Sequence, residues 1–385
     1  MTTGERSGSR YSRSFVIGEP TSRARPGVVA RVAGAALQGA DRLMFRALRQ
    51  IFLRQPIPAA TPAELDALLE ANLRYCAPAI LGDPDQLFAP RSPLLRRPPV
   101  RQKSVRGGTL SHYHLPTPYT PIDPDYLPRF RRYEGLSGLH FFAWRHHRPA
   151  PLSVLLLHGW GVGGRRLHEV EFNIGRLYRQ LGLDVYFYVA PFHGLRRPPG
   201  HRSGELHPSV DIVRSNEAFV QTVQELRALI SMIKDANDAP LGVMGSSLGG
   251  YTSALLASID DRLDFAVPII APASLADLFW EQGEGEAVRA EARALGLTLE
   301  RFRAAWALHS PLSYEPKVPR SHRLIVGASN DGLVTRPHVD ALWEHWGRPR
   351  RFEFTGGHVL QVGRGAYIRE LATWLRELGL LPGRP

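Results

Sequence analysis

Ser247 has the surroundings most clearly arranged for chemistry in this 385-residue chain. It sits at the centre of Gly245-Ser246-Ser247-Leu248-Gly249, after the apolar run Leu241–Met244 and before a helix-like segment, Leu248–Ser258. Gly-x-Ser-x-Gly between a buried strand and a helix is the pattern of a nucleophile elbow, a tight turn that lifts one hydroxyl above a sheet. The turn strains its central residue, and side chains two positions away would collide, so Gly245 and Gly249 are the residues it requires. Ser246 is a poor rival, because its own flanking positions are Met244 and Leu248. A serine hydroxyl is a weak nucleophile. It needs a base within hydrogen-bond reach and a third group to orient that base. The pentapeptide alone is short enough to arise by chance, so its meaning depends on the elements around it.

Those elements alternate. Thr109–Leu115 and Leu139–Arg145 read as two early strands. Ser153–His158 is a continuous apolar run suited to a central parallel strand, followed by Gly159-Trp160-Gly161-Val162-Gly163-Gly164. A helix with Val170, Ile174, Leu177 and Leu181 on one face comes next, then the strand Asp184–Ala190. Phe219, Val223, Leu226, Ile230 and Ile233 mark a long amphipathic helix before the elbow strand. Beyond the elbow, Leu263–Ile270 reads as a strand despite Pro268, which removes a ladder donor. Residues 272–316 read as an insertion of short helices. Arg323–Ala328 and Arg351–Phe354 are strands flanking a helix Pro337–Trp346, and a helix with Ile368, Leu371, Leu375 and Leu378 closes the chain. Such alternation predicts an α/β fold with a mostly parallel sheet of about eight strands, helices on both faces and a small helical cap.

Before residue 108 the texture differs. Residues 1–27 read as a disordered basic tail, and 28–107 as a helical extension ending in a Pro/Arg-rich linker over 77–107. The extension holds a helix Val28–Arg54, with Arg31, Gln38, Arg42, Arg46 and Arg49 roughly on one stripe, and a helix Pro62–Tyr75 capped by Thr61. The first either packs on the main domain with its arginines outward or makes peripheral contact with an anionic membrane. The formal net charge is +12, but only Lys103, Lys234 and Lys317 are lysines among 48 basic residues. That skew, with abundant Ala, Gly and Pro, reads as the composition of a GC-rich bacterial genome. No recognition helix, zinc-ligand spacing or RNA-binding aromatic motif accompanies it, so neither specific nucleic-acid binding nor a metal is expected. Cys76 is the single cysteine, so no intrachain disulfide can form. No apolar run approaches 18 residues, and no secretory leader is recognisable, so the expected location is cytoplasmic, with membrane association only through the basic helix.

From about residue 108 to its end, the chain resembles the alpha/beta-hydrolase superfamily. Within it, Ala190-Pro191-Phe192-His193-Gly194-Leu195-Arg196-Arg197-Pro198 is similar to a Pro-aromatic-aromatic-Gly-x-Arg-x-Pro stretch of the abhydrolase-domain-containing 18-like family. The superfamily orders its triad as Ser, acid, His along the chain. The resemblance therefore implies Ser247 as nucleophile, Asp331 as acid just past a strand end, and His358 as base in the loop Thr355-Gly356-Gly357-His358. Asn330 cannot supply the charge, and Asp340 falls inside the following helix. The oxyanion would meet the backbone N–H groups of Leu248 and, by position, Trp160, with Gly161 as the alternative. His158 would support that loop. Phe279 and Trp280, with Leu278, Phe302 and Trp306, make the cap aromatic; they either line an acyl site or glue the cap to the domain. His193 and Arg196 leave their strand on the ligand side and would contact an anionic head group, or are loop polar residues. The implied activity is a cofactor-free serine esterase or lipase-like hydrolase acting through an acyl-enzyme on a small-molecule or lipid ester. An amidase or peptidase with the same triad, or an acyl-binding scaffold without turnover, are the alternatives.

Overall fold

The computed structural model describes residues 34–44, 59–282, 285–363 and 365–383. The chain builds one sheet from β1 (Arg101–Val105), β2 (Gly108–Pro116), β3 (Gly138–His146), β4 (Ser153–Leu157), β5 (Asp184–Val189), β6 (Leu241–Ser246), β7 (Phe265–Ile269), β8 (Leu324–Ala328) and β9 (Arg350–Phe354). Their spatial order is β1-β2-β3-β5-β4-β6-β7-β8-β9. The pairings up to β3–β5 are antiparallel, and every pairing from β5 to β9 is parallel. The parallel half places the C-terminal ends of β4, β6, β8 and β9 along one edge, where loops converge.

β4 shows why the sheet is covered on both faces. Its five residues are all buried. Leu155 and Leu157 join one core cluster with Val220, Val223 and Leu226 of the long helix Ile212–Lys234, Leu255 of the elbow helix Leu248–Ile259, and Leu342 of the helix Arg336–His345. Val154 and Leu156 join the opposite cluster with Ile174, Leu177 and, from the closing helix Gly365–Glu377, Ile368, Leu371 and Leu375. Two-residue alternation divides one apolar run between two layers of helix.

Three features depart from the sequence expectations. The stretch 77–107 is not a linker. It forms the helices Pro78–Gly82 and Asp85–Phe88, whose Leu81, Leu87 and Phe88 are buried in the core, and then strand β1. Pro78 and Pro84 stand at the starts of these two helices, where a missing N–H costs nothing. β1 carries no apolar alternation because four of its five residues are exposed; backbone pairing with β2 holds it, giving a ninth strand. Pro268 does lie within β7. Ser247 N–H donates to Ile269 O, so Ile269 faces β6 and its neighbour Pro268 faces β8, where only Ile269–Val326 and the isolated bridge Ala266–Arg323 are registered. The missing donor thus falls on the weakly paired side.

The long helix is the third departure. Its polar face is buried rather than solvated. Glu217 accepts hydrogen bonds from Tyr75 Oη at 2.6 Å, from Tyr119 Oη and from the Asp123 N–H at 2.7 Å. Glu225 accepts both Nη atoms of Arg196, at 2.6 and 2.8 Å, together with the hydroxyls of Tyr188 and Thr117. Asn72 Nδ2 and Asn216 Nδ2 both donate to Ala305 O, which binds the N-terminal extension to the insertion. That insertion carries the helices Leu275–Gln282, Gly285–Ala294 and Leu299–Ala305. The expected tail 1–27, and residues 28–33 and 45–54 of the expected helix Val28–Arg54, lie outside the described residues; 34–44 are helical. No helix among the described residues is long and apolar enough to cross a membrane.

Arg196→Ala would strand Glu225 with no counter-charge in a fully buried site. Breaking such a pair costs about 3–5 kcal/mol, so the urea midpoint should fall accordingly. A loss below about 1 kcal/mol would contradict the pairing.

Candidate active site

β6 delivers Ser247 at φ 54° and ψ −114°, a positive-φ conformation that a non-glycine residue seldom adopts. Its N–H donates to Ile269 O at 2.9 Å, and its carbonyl accepts from Tyr251 N–H at 2.9 Å, starting the elbow helix. The two glycines are sterically required. A Cβ on Gly245 would lie 2.0 Å from Gly249 O, and one on Gly249 would lie 2.0 Å from Leu157 O. Ser246 is buried and hydrogen-bonds Glu171, so its hydroxyl is not free to attack.

His358 follows β9 and meets Ser247: Nε2 lies 2.9 Å from Ser247 Oγ. Its Nδ1 lies 2.8 Å from Asp331 Oδ2. A carboxylate only accepts, so Nδ1 carries the proton and Nε2 is left to accept from the serine. Asp331 follows β8 and is itself fixed: Oδ1 accepts from the N–H groups of Leu333 at 2.9 Å and Val334 at 2.7 Å. One oxygen caps the loop and the other orients the imidazole. Burial pushes His358 toward a lower pKa, but the negative charges of Asp331, Asp41 and Glu171 outweigh it and hold the group above the ordinary 6.5.

The loop after β4 lies against the elbow. A Cβ on Gly159 would be 3.5 Å from Ser247 Cβ, so this loop and Ser247 are in contact. Trp160 is anchored there by its indole, which donates to Gly204 O at 2.8 Å. Leu248 opens the elbow helix, where an N–H has no intrahelical acceptor. Two buried histidines hold the loop. His158 Nε2 accepts from Ala190 N–H at 3.1 Å, so its Nδ1 donates to Gly159 O at 2.8 Å. His168 Nε2 accepts from Gly163 N–H at 3.0 Å, so its Nδ1 donates to Glu171. Burial drives His158 well below its ordinary pKa, as suits a structural imidazole.

His193 and Arg196 do not face a ligand. Arg196 is fully buried and committed to Glu225, Val189 O and Leu136 O. His193 is fully buried with Nδ1 against Pro191 O, and burial beside His207 pushes it down to about 3, so it carries no charge for an anion. The sequence correctly marks this turn as special, but the specialisation is internal. Phe279 and Trp280 are half-buried against a cluster that includes Leu248, Tyr251, Phe302 and Trp306, with Trp160 and Leu333 at its margin. Phe279 meets Trp306 edge-on at 5.3 Å. These aromatics therefore bind the cap to the domain within reach of the elbow. Sequence reasoning missed Asp41, the single acid between residues 28 and 54, whose carboxylate touches both the acid and the base loops. Among the described residues no group of three or more His, Cys, Asp or Glu is placed to hold a metal ion.

A family model described as alpha/beta hydrolase domain containing 18 matches residues 117–286, a span that holds the 190–198 turn and the elbow. An uncharacterized protein of Mycobacterium tuberculosis (Rv2627c) is 30% identical over 316 residues, covering 78% of this chain and 72% of its own. The chain belongs to this alpha/beta-hydrolase family. The uncharacterized protein YdjC of Bacillus subtilis is 30% identical over 99 residues, 26% of this chain and 85% of that protein. Among solved structures, an acetyl xylan esterase from a Paenibacillus species superimposes with a TM-score of 0.54 at 13% identity, covering 79% of this chain and 98% of that one. Acetyl xylan esterase 1 from a Thermoanaerobacterium species gives 0.52 at 13% identity, covering 79% and 97%. At such identities the likeness is one of fold. This hydrolase-family chain holds Asp331 and His358 beyond the matched span, on loops that its own sheet places.

Because a raised pKa keeps the imidazole protonated to higher pH, neutral His358 is lost as pH falls through a midpoint above 6.5. Titration of isotope-labelled His358 by NMR should show that midpoint. A value at or below 6.5 would contradict the electrostatic description.

Proposed function

We propose that this protein is a serine hydrolase that cleaves carboxylic esters through an acyl-enzyme on Ser247. The observation that carries this reading is the continuous relay from Ser247 Oγ through His358 to Asp331, at 2.9 and 2.8 Å, ending on a strained elbow. His358 Nε2 takes the hydroxyl proton as Oγ attacks the ester carbonyl carbon. Negative charge gathers on the carbonyl oxygen, toward the N–H groups of Leu248 and Trp160. The tetrahedral intermediate collapses, and the alkoxide leaves with the proton from His358. Water then attacks the acyl-enzyme with the same base. The acid is released, and the proton returns to Ser247. Asp331 stays ionised throughout and stabilises the imidazolium.

An ester is the favoured substrate because an alkoxide leaves more readily than an amine, so the reaction asks least of the proton donor. The apolar cluster running from Leu248 to Phe279 and Trp280 supports an apolar acyl group. Both the ester preference and the acyl site are parts of the proposal.

A panel of p-nitrophenyl esters and aminoacyl p-nitroanilides tests the reading. Wild type should hydrolyse the esters, and Ser247→Ala or His358→Ala should lower kcat/KM by at least about 10³-fold. Equal activity in wild type and Ser247→Ala would overturn the mechanism. Faster turnover of the anilides would replace esterase by amidase.

A further inference from the structure

The N-terminal helical segment 34–44 reaches the site across nearly the whole chain. Asp41 is 1% exposed, and its carboxylate accepts three backbone N–H groups. Oδ2 takes that of Gly332 at 2.9 Å and that of His358 at 2.7 Å; Oδ1 takes that of Val359 at 2.9 Å. Gly332 directly follows the acid Asp331, and His358 is the base itself. One side chain thus bridges the two loops whose separation sets the Asp331–His358 hydrogen bond. We propose that Asp41 is a positioning residue that clamps the acid loop to the base loop; this rests on the serine-hydrolase reading above.

The loops are shaped for this approach. A Cβ on Gly332 would lie 2.9 Å from Gln38 O and 3.2 Å from Asp41 Cβ. A Cβ on Gly357 would lie 2.7 Å from Asp41 Oδ2. A side chain at Gly332 would push against the helix backbone, and one at Gly357 would displace the Asp41 carboxylate. A buried carboxylate is costly unless its oxygens are satisfied, and three aligned N–H groups satisfy it. Its charge also faces His358, together with Asp331 from the acid loop and Glu171 from the helix Arg165–Glu171. Asp41 therefore acts on the base twice. It fixes the backbone that carries the imidazole, and it favours the imidazolium formed during proton transfer. Of the eleven residues in 34–44, Asp41 is the acidic one, so no neighbour on its own helix replaces it.

The test uses the full chain as wild type, Asp41→Asn, Asp41→Ala, Gly332→Ala and Ser247→Ala, each checked for a native circular-dichroism spectrum. Amide hydrogen exchange at Gly332, His358 and Val359 needs no substrate. The clamp predicts exchange at least about ten-fold faster in Asp41→Ala and Gly332→Ala; unchanged exchange at all three amides overturns it. In ester hydrolysis, Asp41→Asn should lower kcat about 10- to 100-fold and move the acid limb of the pH profile to lower pH, because a negative charge beside His358 is lost. A lower rate with an unmoved limb assigns Asp41 to fold stability alone and overturns the positioning role. So does a wild-type rate in Asp41→Asn. If wild type itself shows no Ser247-dependent turnover, the hydrolase reading fails, and the exchange data still decide the clamp.

Discussion

Ser247 is held at a backbone conformation that costs on the order of 1–3 kcal/mol, and the rest of the site is arranged around keeping it there. β6 is buried along its whole length between β4 and β7, so the strand cannot relax toward solvent. The hydrogen bond from Ser247 N–H to Ile269 O ties the turn to the neighbouring strand. Gly245 and Gly249 remove the contacts that would otherwise open the turn. The outcome is a hydroxyl that is partly exposed above a sheet edge, at the start of a helix. Because β4, β8 and β9 run parallel to β6, the loops leaving them emerge at that same edge and bring Trp160, Asp331 and His358 to it.

Histidines around the elbow are treated in two opposite ways. His158, His193 and His207 are buried among other cationic or imidazole groups, and burial drives each below its ordinary pKa, in His158 despite the charge of Glu171. His158 and His193 hydrogen-bond the backbone of their own loops, and His207 packs edge-on against Phe219. The His358 side chain is largely buried as well, yet three carboxylates face it and reverse the direction. The difference is not residue type but the placement of negative charge. Such opposed environments fit the role of general base proposed for His358 and a structural role for the other imidazoles.

Much of this was readable from residue order. β4 to β8 carry mainly apolar, buried runs, and the elbow stands out because two glycines flank a serine between a strand and a helix. What escaped has physical causes. β1 is exposed on both faces, so no period marks it. The polar stripe of Ile212–Lys234 is identical in sequence terms to a solvated face, whereas Glu217 and Glu225 are satisfied internally by Tyr75, Tyr119 and Arg196. Arg196 and His193 carry polar atoms at a ligand-side loop, but burial removed them from any ligand. Asp41 lies 291 residues from Gly332 and 317 from His358, a separation that no local spacing rule spans. Its one visible sign is an acid standing alone in an arginine-rich stretch of sequence.

The central claim is that Ser247 becomes covalently modified during turnover. Peptide mass spectrometry after exposure to a fluorophosphonate probe tests it most directly. The relay predicts stoichiometric phosphonylation confined to Ser247, lost in Ser247→Ala and slowed at least about 10³-fold in His358→Ala. Labelling that is absent in wild type, that maps to another residue, or that persists unchanged in Ser247→Ala would contradict it.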